Sequence, residues 1–113
     1  MTKTRIANLL FAVLLGASAA AAADDWPSRP IRMVAPAPAG GASDIYARLI
    51  AAKISPMLGR PVVVENRVGA AGRIGYEHVA KSAPDGYTLA LASAAILLQR
   101  AMYLSLPYDP AKD

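Results

Sequence analysis

The sequence has no cysteine, and among its 113 residues there is only one histidine, His78. The lack of cysteine excludes disulfide bonds, thiolate metal sites and a lipid-modified cysteine. The chain also has no His-x-x-x-His pair and no Gly-x-Ser-x-Gly motif, which are typical of metal sites and of serine nucleophiles. We therefore predict no catalytic residue, no metal site and no cofactor, and we interpret His78 as structural.

The first 23 residues have the pattern of a secretory signal peptide. Two basic residues precede an apolar run over 6–17, and the small residues Ala21 and Ala23 stand where a signal peptidase reads the chain. The apolar run is too short for a membrane-spanning helix. We predict cleavage after Ala23, which leaves residues 24–113 as a soluble, exported chain. An uncleaved, membrane-anchored chain is the alternative.

The charge balance excludes one class of partner. Lys and Arg number 12 against 8 Asp and Glu, and two of the basic residues lie in the signal segment. No cluster or stripe of basic residues remains in 24–113, so the electrostatic pattern of a nucleic-acid-binding protein is missing. We expect no nucleic-acid partner and a monomeric chain.

Proline and glycine divide residues 24–113 into repeated strand-loop-helix units. The hydrophobic pattern predicts strands over 31–35, 61–65 and 87–91, and helices from Ser43 or Asp44 to Gly59, over 71–81 and over 95–102. Strands that alternate with helices indicate an α/β fold, with a parallel sheet, right-handed crossovers and helices on both faces. The carboxyl ends of such strands are where ligands bind, so the loops after Ala35, Glu65 and Leu91 are of interest.

Five finer expectations concern packing and helix ends. Spacing by three and four predicts an inward face of the first helix made of Ile45, Leu49, Ile50, Ile54 and Met57. The same reasoning favours Ile74, His78 and Val79 for the second helix. The β-branched run 62–64 predicts a strand that is buried on both faces. Ser43 or Asp44 should cap the first helix, and Pro56 should tighten or kink its last turn.

The loop after the first strand has the composition of an anion site. Gly40 and Gly41 lack a Cβ, so the backbone can approach a ligand closely. The next helix begins there, and a helix N-terminus presents unpaired N–H groups and a partial positive charge. A strand-to-helix turn without a ligand is the alternative. Asp44 suits the first helical turn as well as it suits a ligand contact.

A second glycine-rich segment follows the second strand. Its glycines, Gly69, Gly72 and Gly75, occur at every third residue, which departs from the Gly-x-Gly-x-x-Gly pattern of dinucleotide sites. We interpret them as positions of close packing between helix and sheet. Arg67 and Arg73 beside this segment are expected to form exposed ion pairs or to face solvent, and contact with an anion is the alternative.

Six motifs follow one another in an order that resembles one protein family. They are Trp26-Pro27-Ser28-Arg29-Pro30-Ile31-Arg32, Gly40-Gly41 with Asp44, Pro61-Val62-Val63-Val64-Glu65-Asn66-Arg67, Gly69-Ala70-Ala71-Gly72, Ala83-Pro84-Asp85-Gly86-Tyr87-Thr88-Leu89 and Leu106-Pro107-Tyr108-Asp109-Pro110. Together they resemble the start of the tripartite tricarboxylate transporter substrate-binding proteins, the Bug/TctC group of periplasmic solute receptors. The resemblance implies a two-lobed, type II periplasmic-binding-protein fold. Residues 24–113 would form the N-terminal part of its first lobe, without the second lobe.

The resemblance also implies a function. Such a receptor captures a small organic di- or tricarboxylate and delivers it to membrane permease subunits. By position, the resemblance implies ligand-binding residues at Ala39, Gly40, Gly41, Ala42, Ser43 and Asp44, with Ser93 and Ala94 in the loop after the third strand. The chain departs from the family pattern at four positions. Ala37 and Ala39 replace an aromatic residue and a proline, Val68 replaces a proline, and Gln99 replaces an asparagine.

Two other functional hypotheses remain open at this stage. The chain could be an exported, non-functional fragment of such a receptor, because one lobe offers only part of the contacts to a ligand held between two. An exported hydrolase that uses Ser93 with His78 is a more remote alternative, since spatial proximity is not visible in a sequence.

Overall fold

The computed structural model describes residues 25–112. They contain a parallel sheet of β1 (Ile31–Ala35), β2 (Val62–Asn66) and β3 (Thr88–Ala90). The helices are α1 (Ala42–Leu58), α2 (Arg73–Ala80) and α3 (Ala95–Met102), with a 3₁₀ turn at Ala70–Gly72 before α2. This alternation confirms the predicted α/β fold. The predicted signal peptide lies outside the described residues.

The central strand of the sheet is β1, because the strand order is β2-β1-β3. In the parallel register Met33 pairs with Val64 on one side and with Leu89 on the other. Ile31, Met33 and Ala35 are buried in one core cluster with residues of α1, and Val34, which alternates to the opposite face, is also fully buried. The two faces of β1 are therefore both covered, with α1 packing on β1 and β2 and α2 packing on β1 and β3.

The inner face of α1 differs from the prediction. Ala47 and Ala51 are buried against the sheet, and Ile54 and Leu58 pack beside them. The remaining residues of the predicted inner face are between 40% and 77% exposed: Ile45, Leu49, Ile50 and Met57. Apolar residues occupy two sides of this helix, so their spacing fits either side. The alanine side faces the sheet because small side chains let the helix approach it closely.

Other packing predictions also need correction. Val63 is 54% exposed, because β2 lies at the edge of the described sheet, so the predicted burial on both faces is wrong there. Ile74 is 49% exposed, and Gly75 and Tyr76 are the buried residues of α2.

The N-cap of α1 is Gly41, without a capping side chain, so neither Ser43 nor Asp44 is the cap. The predicted end of α1 at Gly59 is confirmed, with a left-handed φ of 64°.

Candidate functional site

The loops that follow β1 and β3 leave the sheet side by side. The Leu91 N–H donates to the Val34 carbonyl at 2.9 Å, so the two strands end at the same edge. From β1 the chain goes through α1 to β2 on one side, whereas β3 lies on the other side. Such a reversal of direction is a topological switch point, where open α/β sheets bind ligands. The structure thus brings to one edge of the sheet the loop after β1, the start of the helix that follows it and the loop after β3, and these segments contain every predicted ligand-binding residue.

Residues 36–41, here called the glycine loop, are tied by their own hydrogen bonds. The Gly41 N–H donates to the Pro38 carbonyl at 3.0 Å, and the Gly40 N–H donates to Asp44 Oδ2 at 2.9 Å. Gly40 has a φ of 82°, a left-handed conformation that glycine adopts without strain. These two predicted amides are therefore used inside the protein. The first intrahelical bond of α1 runs from the Ile45 N–H to the Gly41 carbonyl, so the amides of Ala42, Ser43 and Asp44 have no intrahelical acceptor and remain as donors for an anion.

Asp44 lies beneath this loop and is only 3% exposed. Its carboxylate accepts hydrogen bonds from Arg48 Nε at 3.0 Å, from the Gly40 N–H and from Asn66 Nδ2 at 2.9 Å. The Arg48 guanidinium, then the Gly40 and Asn66 donors, hold the pKa of this carboxyl well below its usual range. The side chain of Asp44 thus binds groups of the glycine loop, of α1 and of β2, and the predicted ligand contact of this residue stays a prediction.

Asn66, the last residue of β2, links the glycine loop to the sheet. Its Nδ2 donates to the Ala37 carbonyl at 3.0 Å as well as to Asp44, and its Oδ1 accepts from Arg48 Nη2 at 3.3 Å. Neither Asn66 nor Arg48 was predicted from the sequence to belong to the site. The four-residue spacing of Asp44 and Arg48 is the signal that could have pointed to their ion pair.

Helix α2 supports the glycine loop from the other side. A Cβ on Gly75 would lie 3.0 Å from Pro36 Cβ and 3.1 Å from the Arg67 carbonyl oxygen. A Cβ on Gly72 would lie 3.2 Å from the same proline. Gly72 and Gly75 are thus positions of close packing, but their neighbours Pro36 and Arg67 lie just beyond the ends of β1 and β2 and not in the strands, and Gly69 faces only Ile74.

The second loop contains Ser93 and Ala94, both exposed. The Ser93 N–H donates to Tyr76 Oη at 3.4 Å, and its carbonyl accepts from the Ile96 N–H at 3.0 Å. Within residues 25–112 no hydrogen bond joins Ser93 to His78, so the geometry of a hydrolase pair is not assembled. Nor do these residues contain a group of three or more side chains suited to hold a metal ion.

The ion pairs beside the second glycine segment follow the expectation only in part. Arg67 Nη2 lies 2.7 Å from Glu65 Oε1, and both side chains are 34% exposed. Arg73 instead places its guanidinium carbon 5.3 Å from the centre of the Tyr103 ring.

Among the described residues, no helix is long and apolar enough to cross a membrane.

Comparison with known proteins places this arrangement in a family. A sequence profile of the tripartite tricarboxylate transporter family receptor matches residues 46–113, which begin just after the glycine loop. Protein BugT of Bordetella pertussis is 44% identical over 117 residues, covering 100% of this chain and 36% of BugT. That alignment includes the glycine loop.

Solved structures agree with this result. The R. palustris protein Rpa4515, determined with adipate, has a TM-score of 0.73 and 42% identity over 78% of this chain and 30% of its own. The periplasmic binding protein BugD has a TM-score of 0.73 and 44% identity over 75% of this chain and 28% of its own. The chain therefore spans about a third of the length of these proteins, whose fold its described residues share. It belongs to the tripartite tricarboxylate transporter receptor family, a family of periplasmic solute receptors and not of enzymes.

Proposed function

We propose that this chain forms the carboxylate-holding part of a periplasmic receptor, which captures a small organic acid and delivers it to membrane permease subunits. The observation that carries the proposal is the free first turn of α1 at the switch point of the sheet. Membership of the receptor family supports it, and so does the adipate in a related structure. Adipate carries a carboxylate at each end, so one end would suffice for this site.

The proposed mechanism is capture without covalent chemistry. The N–H groups of Ala42 and Ser43 donate to one carboxylate of the ligand, and the positive end of the α1 dipole stabilises its charge. The half-buried Ser43 side chain adds a hydroxyl donor. Small side chains at Ala37 and Ala39 leave the space above the loop open. Ser93 and Ala94 form the facing side of the site.

The charge around the loop also fits an acidic ligand. The carboxylate of Asp44 is buried and paired with Arg48, so it offers a ligand no free negative charge. A ligand ammonium group is therefore not needed to offset it. The first turn of α1 would hold one carboxylate through the Ala42 and Ser43 N–H groups and the Ser43 hydroxyl, and other parts of the cleft would bind the rest of the ligand.

We further propose that residues 1–23 direct export and are removed after Ala23, and that residues 24–113 form the N-terminal part of a first lobe. The chain spans about a third of the length of its relatives, so it supplies one side of the binding cleft. One side offers fewer contacts than a closed cleft, and we expect this chain to bind adipate with a dissociation constant of about 1 mM or weaker.

The experiment is a titration of the chain with adipate, followed by amide chemical shifts and compared with Gly41→Val. A Cβ at residue 41 would lie 3.0 Å from the Pro38 carbonyl oxygen, so a branched side chain must displace the loop. We expect at least about tenfold weaker binding, as one or two hydrogen bonds to a charged group are lost. Ala52→Val adds the same side chain at an exposed position of α1 and should bind like the unsubstituted chain. Equal affinity of the Gly41→Val chain would contradict the assignment of the loop.

A further inference from the structure

We infer that Asp44 is a positioning residue, whose buried carboxylate fixes the glycine loop to α1 and β2 so that the first-turn amides meet a ligand in a preset geometry. The effect on binding rests on the proposed function. The fixing of the loop does not, because it is a property of the free protein and can be measured without a ligand.

The carboxylate of Asp44 is bound by donors from several parts of the chain. Its two oxygens accept from three separate segments, since Oδ2 binds the Gly40 N–H, Oδ1 binds Asn66 Nδ2 and both bind Arg48 Nε. An ionised carboxylate accepts on both oxygens, whereas an asparagine in the same place would have a single acceptor oxygen and an NH₂ group. That NH₂ group would face one of the three donors. The chemistry of this position therefore requires an acid.

Asn66 connects the glycine loop to the carboxylate of Asp44. Both protons of its Nδ2 are used, one by the Ala37 carbonyl and the other by Asp44 Oδ1. Through these bonds the loop is held near its beginning, at Ala37, and near its end, at Gly40. Arg48 joins the same network, because its guanidinium donates to both Asp44 and Asn66.

The carboxylate of Asp44 is not available to bind a ligand directly. Its side chain is 4% exposed, and the groups that contact it belong to the protein. Its influence on a ligand must pass through the shape of the loop. A loop that is already ordered loses less conformational entropy when it binds, and this lowers the free-energy cost of binding.

The test compares Asp44→Asn with Glu77→Gln, each in the full chain. Glu77 is the matched control because it also pairs with a cation four residues on, Lys81, but on the exposed surface of α2. Hydrogen exchange of the Gly40 amide is measured without ligand, and adipate affinity is then measured by amide shifts. For Asp44→Asn we expect exchange about tenfold faster at Gly40, with the β1 amides still protected, and about tenfold weaker adipate binding. Glu77→Gln should change neither quantity.

The outcomes separate this inference from the proposed function. Unchanged exchange at Gly40 in Asp44→Asn would overturn the positioning role. Faster exchange with unchanged adipate affinity would overturn its importance for binding and leave the proposed function standing. If the unsubstituted chain binds no adipate, the proposed function fails, and the exchange at Gly40 still decides whether Asp44 fixes the loop.

A second variant covers the case in which Asp44→Asn does not fold. Asn66→Ala removes the donor to the Ala37 carbonyl and keeps the pair of Asp44 with Arg48. We expect shifted amide resonances over residues 37–41 and weaker adipate binding. A folded Asn66→Ala chain with unshifted loop resonances would overturn the inference.

Discussion

The contact between α2 and the glycine loop predicts an unusual response to Gly75→Ala. Gly75 is buried in a helix and lacks a left-handed φ, so alanine is allowed by its backbone. The new Cβ would lie 3.0 Å from Pro36 Cβ, 3.1 Å from the Arg67 carbonyl oxygen and 3.3 Å from Pro36 Cα. These atoms belong to backbone or to a proline ring, so none can move away by a simple side-chain rotation.

Two effects of opposite sign determine the magnitude. Alanine in place of glycine in a helix stabilises by about 1 kcal/mol. Overpacking against atoms that cannot yield costs about 1–3 kcal/mol. Because three rigid atoms from two segments lie within 3.3 Å, we place the cost in the upper part of that range, so Gly75→Ala should reduce the free energy of unfolding by about 1–2 kcal/mol.

The assay is urea unfolding combined with amide chemical shifts of the folded state. Gly59→Ala is the control, since its φ of 64° causes backbone strain but no atom lies within 4 Å of the new Cβ. It should lose about 1 kcal/mol through that strain. Only Gly75→Ala should also shift the resonances of residues 36–41, because Pro36 begins the glycine loop. A Gly75→Ala chain that is more stable by about 1 kcal/mol, with unshifted loop resonances, would refute the packing argument.

Two further predictions concern α1. Ser55 Oγ accepts from the Val62 N–H at 2.9 Å, so Ser55→Ala leaves a buried donor unpaired and should destabilise the chain by about 1–2 kcal/mol in urea unfolding. An unchanged midpoint of urea unfolding would contradict this role of the Ser55 hydroxyl. The folded pKa of Asp44 lies below its unfolded value of about 3.9, so its ionised form stabilises the fold above that pH, and this contribution is lost as the pH falls further. The stability difference between the unsubstituted chain and Asp44→Asn should therefore shrink below about pH 4, and a constant difference down to about pH 3 would contradict it.

The type and order of the elements could be predicted from the sequence because local signals agree with the fold. The strand over 31–35 was predicted with the bounds that the structure has, and Gly59 marks the end of α1 as expected. Which side of α1 faces the sheet could not be predicted, because apolar residues lie on both sides. Whether the side with Ile45 or the side with Ala47 faces the sheet depends on how closely the helix approaches β1 and β2, and this distance is set by tertiary packing.

The candidate site, too, could be predicted from the sequence only in part. Composition identified the glycine loop, since paired glycines before a helix are a local signal. The bonds that fix this loop join residues that are distant in sequence: 22 residues separate Asp44 from Asn66, and 29 separate Ala37 from Asn66. No local pattern predicts such pairs. The Gly40 and Gly41 amides bond residues only four and three positions away, Asp44 and Pro38, but the loop that presents these amides is itself held by the distant bonds of Asn66.

The most direct test of the proposed carboxylate site is a map of amide shifts during titration of the chain with adipate. The account predicts saturable shifts at Ala42 and Ser43, in the first turn of α1, and in the facing loop over 91–94. A competing location is the groove of about 550 Å³ between α3 and residues 104–109, which is lined by Arg100 and by its ion-pair partner Asp109. Saturable shifts confined to that groove, or no saturable shifts at all, would contradict the account.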